Sequence, residues 1–518
     1  MDAALSQDGD SRGRESVSAL MTWALALTVA LDYFDHAAFT YFASHIAGGV
    51  SASSSELVWA SSAYAITSVL GIVQQQWWVE RLGYRRYITA SLLLFAVTAA
   101  LAGIAESAFQ LLLARGLQGY AMGPMLSACR IALQRGTEGA QRAKGLRKFL
   151  SLILLGSALA PLVGGYLVVQ EGWSALFIAT AVAAIPVAIL AYVALPDLGV
   201  LPQEEHGESH AGPYILFAVA ISALQISMQQ VRFELFASSP ALVASALAGI
   251  AALSWFAHHQ WHHQRPLLRL HAVRQQTFRT GLVMYVCFYY ANNALNFLTS
   301  RFLEGGLGYP VDKAGQIVGA TALLALPLVF IYFRVSPLLP RKKWLILPGY
   351  VVAFLVCAWF TAIPPNTSQE WLVPPLFFRG ALLLTMALPV ASVTFSMFEA
   401  DDYSHAYRLK NVVKQLTLSF STATFIALEQ HRSQLHYSRL AENVSIYNPN
   451  FNEHLDRLAA SLVVHSGDLA KARMDAIAQI YRELMRQVDF LSIQDGYVLL
   501  AIVIAFSGVF ALAQRSIR

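Results

Sequence analysis

The stretch LGSALAPLVGG, residues 155–165, interrupts a long apolar run with three glycines and a proline. A glycine inside a helix costs about 1 kcal/mol relative to alanine, and an interior proline costs about 3 kcal/mol. Helices in a membrane tolerate such residues, because neighbouring helices pack closely against them and satisfy the freed backbone groups. The stretch therefore predicts a bent, tightly packed helix, provided that the rest of the chain forms a membrane bundle.

The composition is that of a membrane protein. Of the 518 residues, 56% are hydrophobic and only 13% are charged, whereas soluble domains carry about 25% charged residues. Apolar runs long enough to cross a hydrocarbon core of about 30 Å recur along the whole chain, and repeated runs of this kind form helical bundles in lipid. The sequence thus predicts an all-α polytopic membrane protein with fourteen spanning segments, at 17–43, 56–78, 86–105, 108–129, 149–169, 173–195, 212–229, 238–257, 280–300, 314–333, 344–363, 371–396, 411–428 and 488–513.

The distribution of lysine and arginine orients the bundle. The chain ends and the connections after even-numbered segments hold 24 of these residues when Arg86 and Lys414, near the starts of the third and thirteenth segments, are counted with them. The short connections after odd-numbered segments hold three, Arg232, Arg301 and Lys313. Because positive charges collect on the cytoplasmic side, both termini are predicted to be cytoplasmic, in an inner (plasma) membrane. This topology explains the net charge of +5, so no nucleic-acid partner is expected.

Two arginines fall inside predicted segments, and their surroundings are alike. Arg115 lies in LLLARGLQGYAMGP (111–124) and Arg379 in PLFFRGALLLTMALP (375–389); each precedes a glycine and, nine or ten residues on, a proline. A charge within the membrane is expensive and usually functional, and duplicated halves are typical of secondary transporters. The alternative is a chance likeness between two apolar segments.

Three motifs make the chain resemble the major facilitator superfamily. QWWVERLGYRR (76–86) is similar to its loop motif G-x-L-A-D-R-x-G-R-R, with glutamine in place of the first glycine. RGLQG (115–119) is similar to its fourth-helix motif R-x-x-Q-G, and GSALAPLVGG (156–165) to its fifth-helix antiporter motif G-x-x-x-G-P-x-x-G-G. In this family the fifth-helix motif lets helices pack closely and bend, which seals or opens one face of the cavity. The matching residues to which we assign a conformational role are Glu80, Arg81, Gly83, Arg85, Arg86, Gly119, Gly156, Pro161, Gly164 and Gly165.

Two later stretches resemble the fourteen-helix drug:proton antiporter family, the family of multidrug-resistance protein B and similar transporters. HQRPLLRLHAVRQQTFRTG (263–281) looks like the linker of that family, and LEGGLGYPVDKAG (303–315) resembles the stretch after the first helix of its second half. The resemblance implies two six-helix halves with two extra central helices. It divides the chain into an N-terminal tail (1–16), a first bundle (17–196), a linker with the extra helices (197–279), a second bundle (280–513) with a periplasmic helical loop (429–487), and a C-terminal tail (514–518).

Proton coupling requires an acid inside the membrane, because burial and nearby cations change how readily a carboxyl group binds a proton. Asp32 and Asp35 in LDYFDHA (31–37) lie deep within the first segment, three residues apart on one helix face. Asp32 matches the family's first-helix motif and Asp35 is an additional acid, so either one, or a coupled pair, is the candidate proton carrier; the alternative is a structural role. Arg115 is the expected electrostatic partner. Arg379 could serve the second half in the same way, hold an anionic substrate group, or donate hydrogen bonds to backbone carbonyls.

Polar side chains on apolar helices are the candidates for lining a substrate cavity. Such side chains serve equally often as hydrogen-bonded links between helices, so both roles stay open for the whole set. Its members are Tyr64, Gln118, Tyr289, Asn292, Asn293 and Asn296.

The stretch HHQWHHQ (258–264) carries histidine pairs at the spacing that suits zinc on a helix, His258 with His262 and His259 with His263. The stretch is predicted to lie at the cytoplasmic interface with no carboxylate nearby, so neither a metal site nor a cofactor is expected.

Residues 429–487 form the one sizeable segment predicted outside the membrane. Apolar residues recur in it at helical spacing, which predicts amphipathic helices over the exit of the bundle. In the resembled family such a loop docks a periplasmic adaptor that continues to an outer-membrane channel. The alternative is a helical cap without a partner.

These observations predict an exporter that exchanges protons for an organic small molecule by alternating access, not an enzyme. The substrate stays open among drugs, siderophores or other metallophores, and fatty acids. One alternative is an importer of the same fold. Another is a multi-span membrane acyltransferase that uses His259 or His263, for which the chain offers no HHxxxD pattern.

Overall fold

The computed structural model describes residues 2–202, 206, 211–230, 239–339, 341–396, 398, 400–445 and 447–514. This part of the chain is helical and contains no strand. The α-helices are α1 (Asp2–Tyr41), α2 (Ala43–Gly49), α3 (Ser54–Gly103), α4 (Ala108–Met122), α5 (Met125–Gly136), α6 (Gly139–Glu171), α7 (Ser174–Ala194), α8 (Ala211–Gln230), α9 (Pro240–His262), α10 (Gln276–Arg301), α11 (Val311–Leu324), α12 (Pro327–Val335), α13 (Lys343–Ala362), α14 (Val373–Gly380), α15 (Leu388–Thr394), α16 (Ala400–Ala441), α17 (Pro449–Ser466) and α18 (Leu469–Ala513).

Each of the fourteen predicted segments is mostly helical where it is described. The second and third merge in α3, which continues through a kink at Gly83 (φ 76°, ψ 162°). The twelfth is divided between α14 and α15 by a π-helical turn at Leu383–Ala387. By length and hydropathy, nine helical stretches of the described chain qualify as membrane spans, so the count of fourteen remains a prediction. Arg232, one of the orienting charges, lies outside the described residues.

The helices form two halves and a central pair. In the first half α1 packs against α5, α6 and α7, and α3 against α4 and α7; in the second, α10 packs against α15, α16 and α18, and α13 against α14 and α18. Helices α8 and α9 pack against each other, and α8 also contacts α3 and α16. The outward faces are apolar, and Val193 and Phe506 are more than two-thirds exposed. Lipid is the solvent that such faces fit.

Two glycines of the stretch 155–165 bring α6 close to the first helices. An alanine Cβ at Gly156 would overlap the carbonyl oxygen of Ala30 and lie 3.0 Å from its carbonyl carbon. A Cβ at Gly164 would overlap the ring of Phe42. The glycines therefore let α6 touch α1, and Pro161 is accommodated within the same continuous helix.

The same stretch forms a contact between the two halves, through α6 and α11. Gly165 faces Asp312 of α11, at a distance of 3.4 Å from an added Cβ to the Asp312 Cα. From the other side, a Cβ at Gly315 would overlap the carbonyl oxygen of Pro161. This contact lies at the end of the bundle that carries α17, which we call the α17 end; we call the opposite end the linker end.

The loop motif within α3 holds the start of the linker. The N–H of Leu201 donates to the carbonyl of Glu80 at 3.0 Å. Arg85 forms an ion pair with Asp197 at 3.4 Å. Of the other two arginines of the motif, Arg81 is partly exposed and Arg86 is exposed, both at the linker end.

The predicted loop 429–487 is built largely from extensions of two membrane helices. Helix α16 continues to Ala441 and α18 begins at Leu469, so the predicted loop boundaries fall inside continuous helices. The separate helix α17 packs on α18 around three buried side chains, Leu455, Ala459 and Ala476.

Candidate substrate and proton site

Asp35 of α1 forms a buried ion pair with Arg115 of α4. The Asp35 Oδ2 lies 2.7 Å from the Arg115 Nη1, and the side chains are 3% and 1% exposed. The same Nη1 donates to the Gln118 Oε1 at 2.8 Å, and the guanidinium carbon lies 4.2 Å from the ring centre of Phe39. Removing one partner of such a pair costs about 3–5 kcal/mol, because the other charge is left buried and uncompensated.

The fourth-helix motif places this arginine against α3. An added Cβ at Gly119 would overlap the carbonyl oxygen of Tyr64 and lie 2.8 Å from its Cα, so only glycine allows the approach. The approach brings the Arg115 guanidinium carbon within 4.4 Å of the Tyr64 ring centre. Arginine, glutamine and glycine of RGLQG thus act on one helix face, at i, i+3 and i+4.

Asp32, one turn before Asp35, has different surroundings. Its Oδ1 accepts a hydrogen bond from the Tyr64 hydroxyl at 3.1 Å, and no cation of the described chain lies within 4.0 Å of it. The Lys414 ammonium acts on it electrostatically from farther away. Asp32 is half-buried and the adjacent His36 is exposed, so this face of α1 lines an accessible space between the halves.

Two lysines of α16 reach the same space from the second half. The Lys414 Nζ donates to the Tyr33 hydroxyl at 3.2 Å, and the Lys410 Nζ donates to the Tyr289 hydroxyl at 3.4 Å. Lys410 is 2% exposed. Neither lysine has a carboxylate within 4.0 Å in the described part of the chain.

Sequence reasoning missed these lysines. Arg408 and Lys410 follow the twelfth segment, Lys414 is the fourth residue of the thirteenth, and the charge count takes all three as loop charges. The prediction of a loop here is wrong, because all three lie within α16. A signal was present. Lys410 and Lys414 are spaced i, i+4 and run without a helix breaker into the thirteenth apolar segment.

Arg408, by contrast, is a structural side chain. It is fully buried and donates a hydrogen bond to the carbonyl of Leu267 at 3.0 Å. Its Nη2 lies 2.8 Å from the Nδ1 of His405. These contacts attach the linker-end part of α16 to the segment after α9.

The remaining predicted residues divide between the site and the framework. Tyr289 contacts a lysine of the site, whereas the Asn293 amide donates to the Leu418 carbonyl and the Thr422 hydroxyl of α16, at 3.1 and 2.9 Å. Asn293 therefore links helices. Asn292 and Asn296 are half-buried on the same helix.

Arg379 does not join the acids of α1. It is half-buried at the end of α14, and its Nη1 has no hydrogen-bond partner among the described residues. Its counterpart Arg115 lies in an unbroken helix, whereas a π-helical turn follows Arg379. The two halves thus repeat the arginine without repeating its ion pair.

The histidines of 258–263 lie at the linker end, around the end of α9. His258 lies beside His262 and His259 beside His263, with ring centres 4.4 and 5.4 Å apart. Across the described ranges, no group of three or more histidine, cysteine, aspartate or glutamate side chains is arranged to hold a metal ion.

Comparisons with known proteins agree with this architecture. The family model of the Major Facilitator Superfamily matches residues 25–422. The probable multidrug resistance protein EmrY of Escherichia coli (strain K12) is 22% identical over 442 residues, which cover 83% of this chain and 84% of EmrY. The multidrug export protein EmrB of the same organism is 21% identical over 433 residues, with the same coverage of 83% and 84%.

A similar fold is found in a crystal structure of a bacterial homolog of the human lysosomal transporter Spinster, in an inward-facing and occupied conformation. The TM-score is 0.59 at 14% identity, over 95% of both chains. An all-helical chain of this kind, matched by the family model over most of its length, is a transporter and not an enzyme. This multi-pass membrane protein belongs to the major facilitator superfamily, and its relatives include the multidrug resistance transporters EmrY and EmrB.

Proposed function

We propose that this chain is a proton-coupled efflux transporter, an antiporter that exports an organic small molecule across the inner membrane by alternating access. The observation that carries the proposal is the pair of unlike acids on α1, one in a buried ion pair with Arg115 and the other, Asp32, facing an accessible space without an ion-pair partner. The names of EmrY and EmrB, a multidrug resistance protein and a multidrug export protein, support efflux.

We assign proton binding to Asp32 rather than Asp35. The Asp35 carboxylate is engaged in the buried ion pair with Arg115, and losing one partner of such a pair costs about 3–5 kcal/mol. Protonation of Asp32 breaks no ion pair, because its one side-chain hydrogen bond in the described chain is with the neutral Tyr64 hydroxyl. Tyr64 in turn lies against the Arg115 guanidinium, so the two acids are coupled through it.

Lys414 connects the proton site to movement of the halves. Asp32 belongs to the first half and Lys414 to the second, and the two interact electrostatically in the present arrangement. When the halves rock, the distance between them changes, so Asp32 releases its proton while Lys414 is near and binds one when Lys414 withdraws. With both termini cytoplasmic, the α17 end faces the periplasm, and the α6–α11 contact is the seal on that side.

The test is substrate accumulation in everted membrane vesicles acidified inside, with a panel of dyes, toxic organic compounds and iron chelators. Wild type is expected to accumulate at least one compound, and a protonophore should abolish this. Asp32→Asn is expected to lose pH-driven accumulation but to keep exchange of labelled for unlabelled substrate, since the substrate site is intact. Asp35→Asn is expected to lose both, because the buried ion pair is broken.

The matched control is Asp456→Asn, which removes a largely exposed carboxyl of α17. It should behave as wild type. Protonophore-resistant accumulation would contradict proton coupling. Wild-type accumulation by Asp32→Asn together with retained exchange by Asp35→Asn would show that neither acid is required for transport.

We further propose that the α17 end docks a periplasmic adaptor. Its surface exposes large apolar side chains, among them Val464 and Met474, at 82% and 69%. Val464→Asp with Met474→Asp should reduce export by intact cells and leave transport in vesicles unchanged, because vesicles need no adaptor. Equal export by cells of wild type and variant would favour the alternative of a cap without a partner.

A further inference from the structure

The charges at the centre of the bundle do not balance. Arg115 and Asp35 neutralise each other. Asp32 acts electrostatically on Lys414, whereas the charges that act on Lys410 are those of two cations, Lys414 and Arg130. An ammonium group buried in the membrane without a counter-charge is strongly disfavoured, so an anionic group bound beside Lys410 would stabilise its charge.

Both lysines are also held among aromatic rings. The Lys410 Nζ lies 4.1 Å from the ring centre of Tyr407 and 5.4 Å from that of Tyr285. The Lys414 Nζ lies 5.0 Å from the ring centre of Tyr33. Ring faces hold the ammonium groups in place, and they provide flat apolar surface beside a positive charge, which suits an amphipathic ligand.

Asn411, the residue after Lys410 on α16, has unused hydrogen-bonding capacity. It lies between the lysines in sequence and is 2% exposed, yet neither its amide nitrogen nor its amide oxygen has a hydrogen-bond partner in the described ranges. A buried amide that lacks partners is costly. A polar group of a bound ligand would satisfy the amide, and without ligand a water molecule would do so.

We propose that Lys410 and Lys414 bind the anionic group, a carboxylate or sulfonate, of an organic anion, and that this is the class of substrate that the transporter exports. The Lys410 ammonium, which no carboxylate neutralises, pairs with the anionic group, and the Lys414 ammonium is shared between that group and Asp32. The tyrosines around the lysines pack against the apolar body of the ligand. Lipophilic cations are repelled by the same lysines. The proposal rests on the proposed transport function for its direction, but not for its binding chemistry.

The test is binding to the purified full-length protein in detergent of three probes of similar size: naphthalene-1-acetate, protonated 2-(1-naphthyl)ethylamine and 2-(1-naphthyl)ethanol. Equilibrium dialysis is expected to give the tightest binding for the anion, by about tenfold or more over the cation and the alcohol. Lys410→Gln and Lys414→Gln should each weaken binding of the anion by about tenfold and change binding of the alcohol little. Lys410→Arg, which keeps the positive charge, should retain most of the binding of the anion.

The control variant is Lys313→Gln, since Lys313 is exposed and should leave all three probes unaffected. The selectivity of wild type tests the proposal even where a lysine variant fails to fold, as judged by size-exclusion chromatography. Equal or tighter binding of the cation by wild type overturns it, as does unchanged anion binding by folded Lys410→Gln and Lys414→Gln.

The vesicle assay distinguishes this failure from that of the transport function. If wild type exports a cation or a neutral compound in a protonophore-sensitive way but does not bind the anion, the substrate class is wrong and the transport function stands. If the anion binds through the lysines but is not moved by a pH gradient, the site stands and proton-coupled export is wrong.

Discussion

Replacing Gly156 by alanine tests whether the close approach of α6 to α1 builds the proton site. The added Cβ would overlap the carbonyl oxygen of Ala30 and lie 3.0 and 3.1 Å from its carbonyl carbon and Cα. Ordinary carbon contacts need about 3.5–4.0 Å, so the two helices must separate by about 1 Å. The backbone of Ala30 cannot rotate away as a flexible side chain would.

The magnitude follows from two opposing effects. Overpacking of this kind costs about 1–3 kcal/mol, whereas alanine gains about 1 kcal/mol over glycine in helix propensity. We expect a net loss of about 1–2 kcal/mol at Gly156. Ala30 is two residues before Asp32, so the same displacement would stretch the 2.7 Å contact of Asp35 with Arg115 past hydrogen-bond range.

The matched control lies in the same stretch, at Gly165. A Cβ there would be 3.4 Å from the Asp312 Cα, an ordinary contact, so the propensity gain is not offset. In thermal unfolding of the purified variants, Gly156→Ala is expected to melt at a lower temperature than wild type, and Gly165→Ala at an equal or higher one. In vesicles, only Gly156→Ala should lose pH-driven accumulation. Equal stability and transport of the two variants would refute the reasoning.

Three further predictions concern other contacts. Asp35→Asn should destabilise the protein by about 3–5 kcal/mol, and Asp35→Asn with Arg115→Gln should recover part of this in thermal unfolding; a double variant no more stable than the single one would mean that the pair is not the cause. Gly315→Ala, whose Cβ would overlap the Pro161 carbonyl oxygen, should open the α6–α11 contact. In an Ala158→Cys background it should speed labelling of the new thiol by an impermeant maleimide, whereas Gly305→Ala, with 3.9 Å of space, should not. Ala476→Asp buries a charge between α17 and α18, so limited proteolysis should cut between α16 and α18 faster than in wild type, and an unchanged rate would mean that this small core does not hold α17.

The two acids of α1 show how far sequence reasoning reaches. Their spacing puts both on one helix face, and the fourth-helix motif predicts that Arg115 faces them. Which acid it binds depends on how α4 packs in the bundle, where Gly119 sets the close approach of α4 to Tyr64 of α3. No local pattern encodes that distance.

The sequence by itself determined that this protein is a helical membrane bundle and where the costly glycines lie, because apolar length acts locally along the chain. The tertiary structure alone decided that Lys410 and Lys414 are interior charges. On the sequence, the polar start of α16 reads as a loop. Only the tyrosines of α1 and α10, brought against it from distant parts of the chain, give its ammonium groups hydrogen bonds within the bundle.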